Sequence, residues 1–191
     1  VLGMLLGLFS LTYALPILTS LIANDGALQH FLRALLSCLL AGFSLWWPTR
    51  RYRRELKPRD GFLLVTLAWV LMAAIATVPL LLAIPGLSFT DAFFETMSGL
   101  TTTGATVLTG LETLPASVNL WRHALNWFGG MGIIVFAVAI LPLLGVGGMQ
   151  LYRAETPGPM KDSKLTPRIA GTAKALWLVY CGITLACILA L

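Results

Sequence analysis

"DAFFETMSGLTTTGATVLTG", Asp91 to Gly110, lies between two long apolar stretches and is poor material for a membrane helix. Its first part carries two acids, and its second part sets three consecutive threonines before Gly104. β-Branched threonines favour extended backbone, and Gly104 accepts a positive φ at no steric cost. Whether this stretch crosses a bilayer decides the fold, and the charges on either side answer that.

The chain has 191 residues, of which 58% are hydrophobic, and its mean hydropathy is +0.85. Soluble domains are about 45–50% apolar, and a chain this short has no core large enough to bury such an excess. The apolar residues also come in blocks. Val1–Ala23, Leu28–Trp47, Gly61–Ile84 and Trp127–Met149 each have the length of a span, about 20 residues, and Ala175–Leu191 opens a fifth. "NDG" (Asn24–Gly26) turns the chain between the first two blocks. Arg33 can snorkel to one interface, and Trp46 and Trp47 mark the other. The net charge of +5 sits mainly in two loops, the pattern of membrane topology rather than of a nucleic-acid surface. Cys38, Cys181 and Cys187 all fall inside apolar blocks and read as small buried hydrophobes. The first residue is Val1 and Leu191 breaks off mid-pattern, which reads as a fragment or an incomplete gene.

The two basic loops are "PTRRYRRELKPRD" (Pro48–Asp60), with six Lys or Arg, and "QLYRAETPGPMKDSKLTPR" (Gln150–Arg168). Both belong on the cytoplasmic side. Between them lie the third block, the threonine stretch and the fourth block. Two crossings return the chain to the same side and three do not, so Asp91–Gly110 enters and leaves on the outer face. Its apolar part, Leu87–Leu100, is too short to span and has the length of a re-entrant segment. The expected fold is an all-α membrane protein with two leading transmembrane helices, one helix–pore-loop–helix unit and the start of the next transmembrane helix. The divisions are residues 1–60, 61–149 and 150–191.

Non-helical backbone at membrane depth must be buried in protein or line water. "SFTD" (Ser88–Asp91) is a helix-start signal, and Ser98 and Gly99 are weak helix formers that can end that helix before the threonines. Its C-terminus then points inward, with the negative end of its dipole toward a cation. An extended strand of Thr101, Thr102, Thr103, Gly104 and Ala105 can aim carbonyl oxygens at a common axis, as carbonyl rings in channel filters do. TTTG alone is ordinary outer-loop material. Parity, the short helix and the flanking spans together make it a filter strand, where Gly104→Ser is expected to crowd the chain. Asp91 reads as a favourable charge at a helix N-terminus. Glu95, one turn deeper, has two readings: a cation-attracting charge near the entrance, or a strut behind the filter paired to Arg122 or His123. His123 itself reads as interfacial. "WFGGMG" (Trp127–Gly132) allows close helix approach, and "PLLGVGG" (Pro142–Gly148) can bend the fourth span. Nucleotide-binding and hydrolase signatures are missing, and the two histidines and scattered acids form no acid–base pair, so an enzyme is not expected.

"DAFFETMSGLTTTGAT" (Asp91–Thr106), "NWFGGMGIIVFAVAILPLLGVGGMQLYRAETPGP" (Asn126–Pro159) and "LWWP" (Leu45–Pro48) resemble the Trk/Ktr/HKT superfamily of potassium transporters, in its TrkH-type branch. The resemblance covers essentially the whole chain. It implies four fused helix–pore-loop–helix units around one pore, with two extra leading helices, of which this chain carries the leading helices, the first unit and the opening of the second. It implies that Thr102, Thr103 and Gly104 give carbonyls to potassium, with Thr101 and Ala105 flanking them. It also implies a cytosolic nucleotide-binding regulatory subunit, a homodimer of the complete protein, and a place in the bacterial inner membrane as a multi-pass protein. No cofactor is expected beyond transported K⁺, and no nucleic acid. One glycine per strand implies less stringent selection than a TVGYG filter, which keeps Na⁺ permeation open. Potassium uptake, in the manner of a Trk-system symporter, is the leading expectation. A homotetrameric cation channel and a non-conducting membrane scaffold are the alternatives.

Overall fold

The computed structural model describes residues 1–51, 58–139 and 162–190. The first apolar block is a single rod with a tightened middle: α1 (Leu2–Phe9), a 3₁₀ turn (Ser10–Tyr13) and α2 (Ala14–Ala23). Pro16 has no N–H and its ring crowds the carbonyl one turn back, which places the tightened turn just ahead of it. α3 (Leu28–Thr49) packs antiparallel to this rod, and α4 (Pro58–Ala83) follows. α1 and α3 cross at Gly3 and Gly42, where a Cβ added to Gly3 would lie 2.5 Å from the Gly42 carbonyl oxygen.

α4 is the hub. Pro79 cannot donate to the Ile75 carbonyl, and the Tyr13 hydroxyl donates to it instead at 3.2 Å. The neighbouring carbonyls are taken in the same way. Trp121 Nε1 donates to Ala76 (3.2 Å), Thr96 Oγ1 to Ala73 (2.9 Å) and Thr77 Oγ1 to Ala74 (2.6 Å). Three other elements therefore reach the helix where its own ladder is weakened. The rings that bring these donors are packed together: Tyr13 stacks on Trp121 at 4.6 Å, and Phe9 and Phe31 each lie 6.2 Å from it. Phe31, Tyr13 and Trp121 are wholly buried. Offset and edge-on aromatic packing of this kind contributes about 0.5–1.5 kcal/mol per pair beyond the area buried.

α5 (Phe89–Leu100) doubles back along α4, and α6 (Ala116–Ala139) begins after an irregular return segment. Asp25, in the turn between α2 and α3, accepts from Ser117 N at 2.8 Å, so the α2–α3 turn and the start of α6 share one end of the bundle. α5 starts near that end and descends until Leu100 lies against Gly129. The chain then climbs back to α6, so this segment enters and leaves at the same end.

The chain divides into two units, Val1–Gly129 and Gly130–Leu191. The first holds the leading helices and the re-entrant segment on one shared core. The second holds the end of α6 and α7 (Asp162–Ala190), where a Cβ at Gly130 would meet the Tyr180 hydroxyl at 2.6 Å. Among the described residues, Leu2–Ala23, Leu28–Thr49, Asp60–Ala83 and Gly171–Ala190 are long and apolar enough to cross a membrane.

Two expected boundaries shift. The helix expected from Trp127 starts at Ala116, because its first turns carry Ser117, Asn119, Arg122 and His123, which hydropathy does not count as span. The basic loop expected to run to Arg168 gives way to helix at Asp162. The bend expected at Pro142–Gly148 lies outside the described residues.

Candidate pore loop

Ser88 caps α5: its hydroxyl accepts from Asp91 N (3.1 Å) and donates to the Asp91 carboxylate (2.8 Å). The acid adds a favourable charge in the first turn. Twelve residues later the helix closes in a Schellman motif. Thr103 N donates to Ser98 O and Thr102 N to Gly99 O, both at 2.9 Å, and Thr102 takes the left-handed position with φ +59°. Glycine usually holds that position, since a side chain there costs about 1–2 kcal/mol.

The strand is thus not extended throughout. Thr101 has φ −81° and ψ 4°, and Thr102 is left-handed. The physical reason is the helix end, whose orphan carbonyls need donors and draw two threonine N–H groups back over them. Gly104 follows with φ +71°. A Cβ there meets nothing within 4 Å, so the penalty for a side chain is conformational and not the crowding expected from sequence.

The result is a one-sided strand. The N–H groups of Thr101, Thr102, Thr103 and Gly104 all donate inward, to Met97, Gly99, Ser98 and Ser98. The carbonyls of Thr101 to Gly104 accept no hydrogen bond among the described residues, and these residues are exposed. Ala105 differs, because its carbonyl accepts from Ser98 Oγ at 2.7 Å.

Glu95 holds the returning chain. It is 5% exposed. Its Oε1 accepts from Arg122 Nε at 2.7 Å and from Arg122 Nη2. Its Oε2 accepts from Thr106 Oγ1 (2.9 Å) and Val107 N (3.2 Å). Arg122 also reaches Thr106 Oγ1 (3.1 Å) and Asn119 Oδ1 (3.3 Å). The carboxylate is spent on four donors and faces the return strand, while His123 is exposed and apart from it. Behind the helix end, Gly129 admits the chain: a Cβ there would lie 2.7 Å from the Leu100 carbonyl carbon.

The family model for cation transport proteins named TrkH matches residues 27–191. The chain belongs to the TrkH family. It is 56% identical over its full length to the Trk system potassium uptake protein TrkH of Salmonella typhimurium, and 55% identical to that of Escherichia coli. In each case it spans 40% of the relative's length. The crystal structure of the potassium transporter TrkH from Vibrio parahaemolyticus superposes with a TM-score of 0.79 at 49% identity, over 96% of this chain and 36% of that one. TrkH is a family of transport proteins rather than enzymes, and this member is a multi-pass protein of the bacterial inner membrane.

In this family member the re-entrant segment folds Thr101, Thr102, Thr103, Gly104 and Ala105 back over the end of α5, sets Glu95 against Thr106 and Val107, and leaves Asp91 at the far end of α5. Three contributors went unread in the sequence, and a fourth, Gly129, was read only as part of a close-approach stretch. Ser98 looked only like a helix stop, and Thr106 gave no signal. Gly129 was one of several small residues in "WFGGMG". Asp25 looked only like part of a turn, yet it also accepts from Ser20 Oγ and Ala27 N. Partial burial pushes its carboxyl up, but hydrogen bonds from Ser117, Ser20 and Ala27 outweigh that and hold it at about 2.

Proposed function

We propose that this chain supplies one pore unit of a potassium-uptake protein, and that the carbonyls of Thr101, Thr102, Thr103 and Gly104 replace part of the hydration shell of K⁺. The observation that carries this is the one-sided strand: four successive N–H groups tied inward and four successive carbonyls with no donor among the described residues. Rings of such carbonyls coordinate alkali cations in channel filters. The C-terminus of α5 adds the negative end of a helix dipole at the same place. The names of relatives above 50% identity support potassium as the ion.

Glu95 acts in this proposal as the strut and not as the entrance charge. Its pairing with Arg122 leaves little net charge to attract an ion, and its other oxygen fixes Thr106 and Val107. Desolvating a cation costs tens of kcal/mol in an apolar medium, and one strand offers only part of the ligands. The remaining ligands come from further pore units of the complete protein. The same proposal includes the cytosolic nucleotide-binding subunit, the homodimer and symport, which rest on the family resemblance.

The test is K⁺ and Na⁺ uptake by the complete protein in bacteria lacking their own potassium uptake. Gly104→Ser places a side chain at φ +71°, and strain of about 1–2 kcal/mol predicts a roughly tenfold loss of K⁺ preference or flux. Unchanged flux and preference remove Gly104 from the ion path.

A further inference from the structure

We propose that Ser98 is a positioning residue that sets where the ion-facing row of carbonyls ends. The inference rests on the pore-loop reading above and deepens it. Ser98 is 6% exposed and clasps three successive residues of the strand. Its carbonyl accepts from Thr103 N (2.9 Å) and Gly104 N (3.3 Å), and its hydroxyl donates to the Ala105 carbonyl (2.7 Å).

The direction of the hydroxyl is the informative part. A serine or threonine in a helix ordinarily bonds back to a carbonyl three or four residues earlier. Thr19, Ser37 and Thr66 do so here. Ser98 instead reaches forward seven residues, out of its helix, to the Ala105 carbonyl, the one carbonyl of Thr101–Ala105 that accepts a hydrogen bond among the described residues. Thr101 to Gly104 keep their carbonyls open, and at Ala105 the row stops.

Two consequences follow. The Ala105 carbonyl, drawn onto the pore helix, turns the chain from the ion-facing side toward Glu95, which takes hold of the next two residues. The number of free carbonyls this strand offers is then set by a side chain on the pore helix and not by the strand itself. Without the hydroxyl, the Ala105 carbonyl is released and the chain between Gly104 and the Glu95 anchor at Thr106 loses its tie to α5. Filter geometry loosens at its outer end, and a smaller, more strongly hydrated cation gains most from that.

The experiment uses the complete protein in proteoliposomes, comparing wild type, Ser98→Ala and Ser98→Cys at matched amounts of folded protein. The readout is the ratio of K⁺ to Na⁺ uptake and the KM for each ion. Ser98→Ala is expected to lower the ratio about fivefold, the factor that corresponds to one ordinary hydrogen bond. Ser98→Cys, which keeps a weak donor, is expected to lie between. A merely structural residue would lower both fluxes together and leave their ratio alone. Active wild type with an unchanged ratio in Ser98→Ala overturns the positioning role while leaving the pore-loop reading intact. Should Ser98→Ala not fold, an unchanged ratio in Ser98→Cys decides the same way. Failure of both variants to fold makes the hydroxyl structural and also overturns the proposal. Wild type that moves neither ion overturns the pore-loop reading itself.

Discussion

Replacing Glu95 by Gln isolates the strut. The carboxylate takes four donors: two from Arg122, one from Thr106 and one from the Val107 amide. A glutamine offers one carbonyl oxygen in place of two acceptors. If that oxygen faces Arg122, its amide points at the Val107 N–H and leaves that donor unmet. If it faces Val107, the amide opposes the guanidinium. Either way the Arg122 cation, whose side chain is 10% exposed, loses its counter-charge. Breaking one partner of a buried pair costs about 3–5 kcal/mol, because the survivor stays charged and unpaired. Removing both charges, with Arg122→Gln added, should recover part of that loss, so the double variant is more stable than the sum of the singles by about 1–3 kcal/mol. The assay is a double-mutant cycle on the complete protein, read by denaturant titration in detergent and by K⁺ uptake. Loss of less than about 1 kcal/mol in Glu95→Gln, or strict additivity in the cycle, refutes the account of Glu95 as a load-carrying strut.

Two further substitutions test the frame around the loop. Gly129→Ala drives a methyl group into the Leu100 carbonyl, which is backbone and has no rotamer to swing away. The expected outcome is a loss of about 2–3 kcal/mol of stability with K⁺ uptake abolished, measured by thermal melting and flux; a fully active, equally stable variant contradicts the close approach. Asp25→Asn weakens the tie between the α2–α3 turn and the start of α6. The folded carboxyl is held at about 2, below its unfolded value near 3.9. The tie is therefore present above about pH 4 and fades as pH falls toward 2. After discounting for solvent screening it contributes about 1–2 kcal/mol, so Asp25→Asn should cost that much at neutral pH and nothing below pH 2. Faster hydrogen exchange at the Ser117 amide reports it, and unchanged exchange at neutral pH contradicts it.

Charge and length were enough to read the re-entrant path. The two basic loops and the short apolar part of Leu87–Leu100 required a segment that returns to its own side, and α5 ends at Leu100, just before the threonines. Local propensity was a poorer guide within the strand. Three β-branched residues predicted extension, yet Thr102 sits left-handed because the helix end needs its N–H. No pattern in the sequence marks Ser98, Thr106 or Asp25 as a long-range anchor, since each acts across 7, 11 or 92 positions through a bond that only the folded chain creates. The same holds for Pro79, whose missing N–H leaves open the Ile75 carbonyl that Tyr13 fills. Hydropathy misplaced the start of α6 because its polar first turns serve the loop.

Anomalous diffraction from the complete protein soaked in Tl⁺ or Rb⁺ tests the central claim most directly. A peak is expected in contact with carbonyls of the Thr101–Gly104 row, with the Ala105 carbonyl still on Ser98. A bound cation elsewhere, with those carbonyls hydrogen-bonded to other parts of the protein, would contradict it.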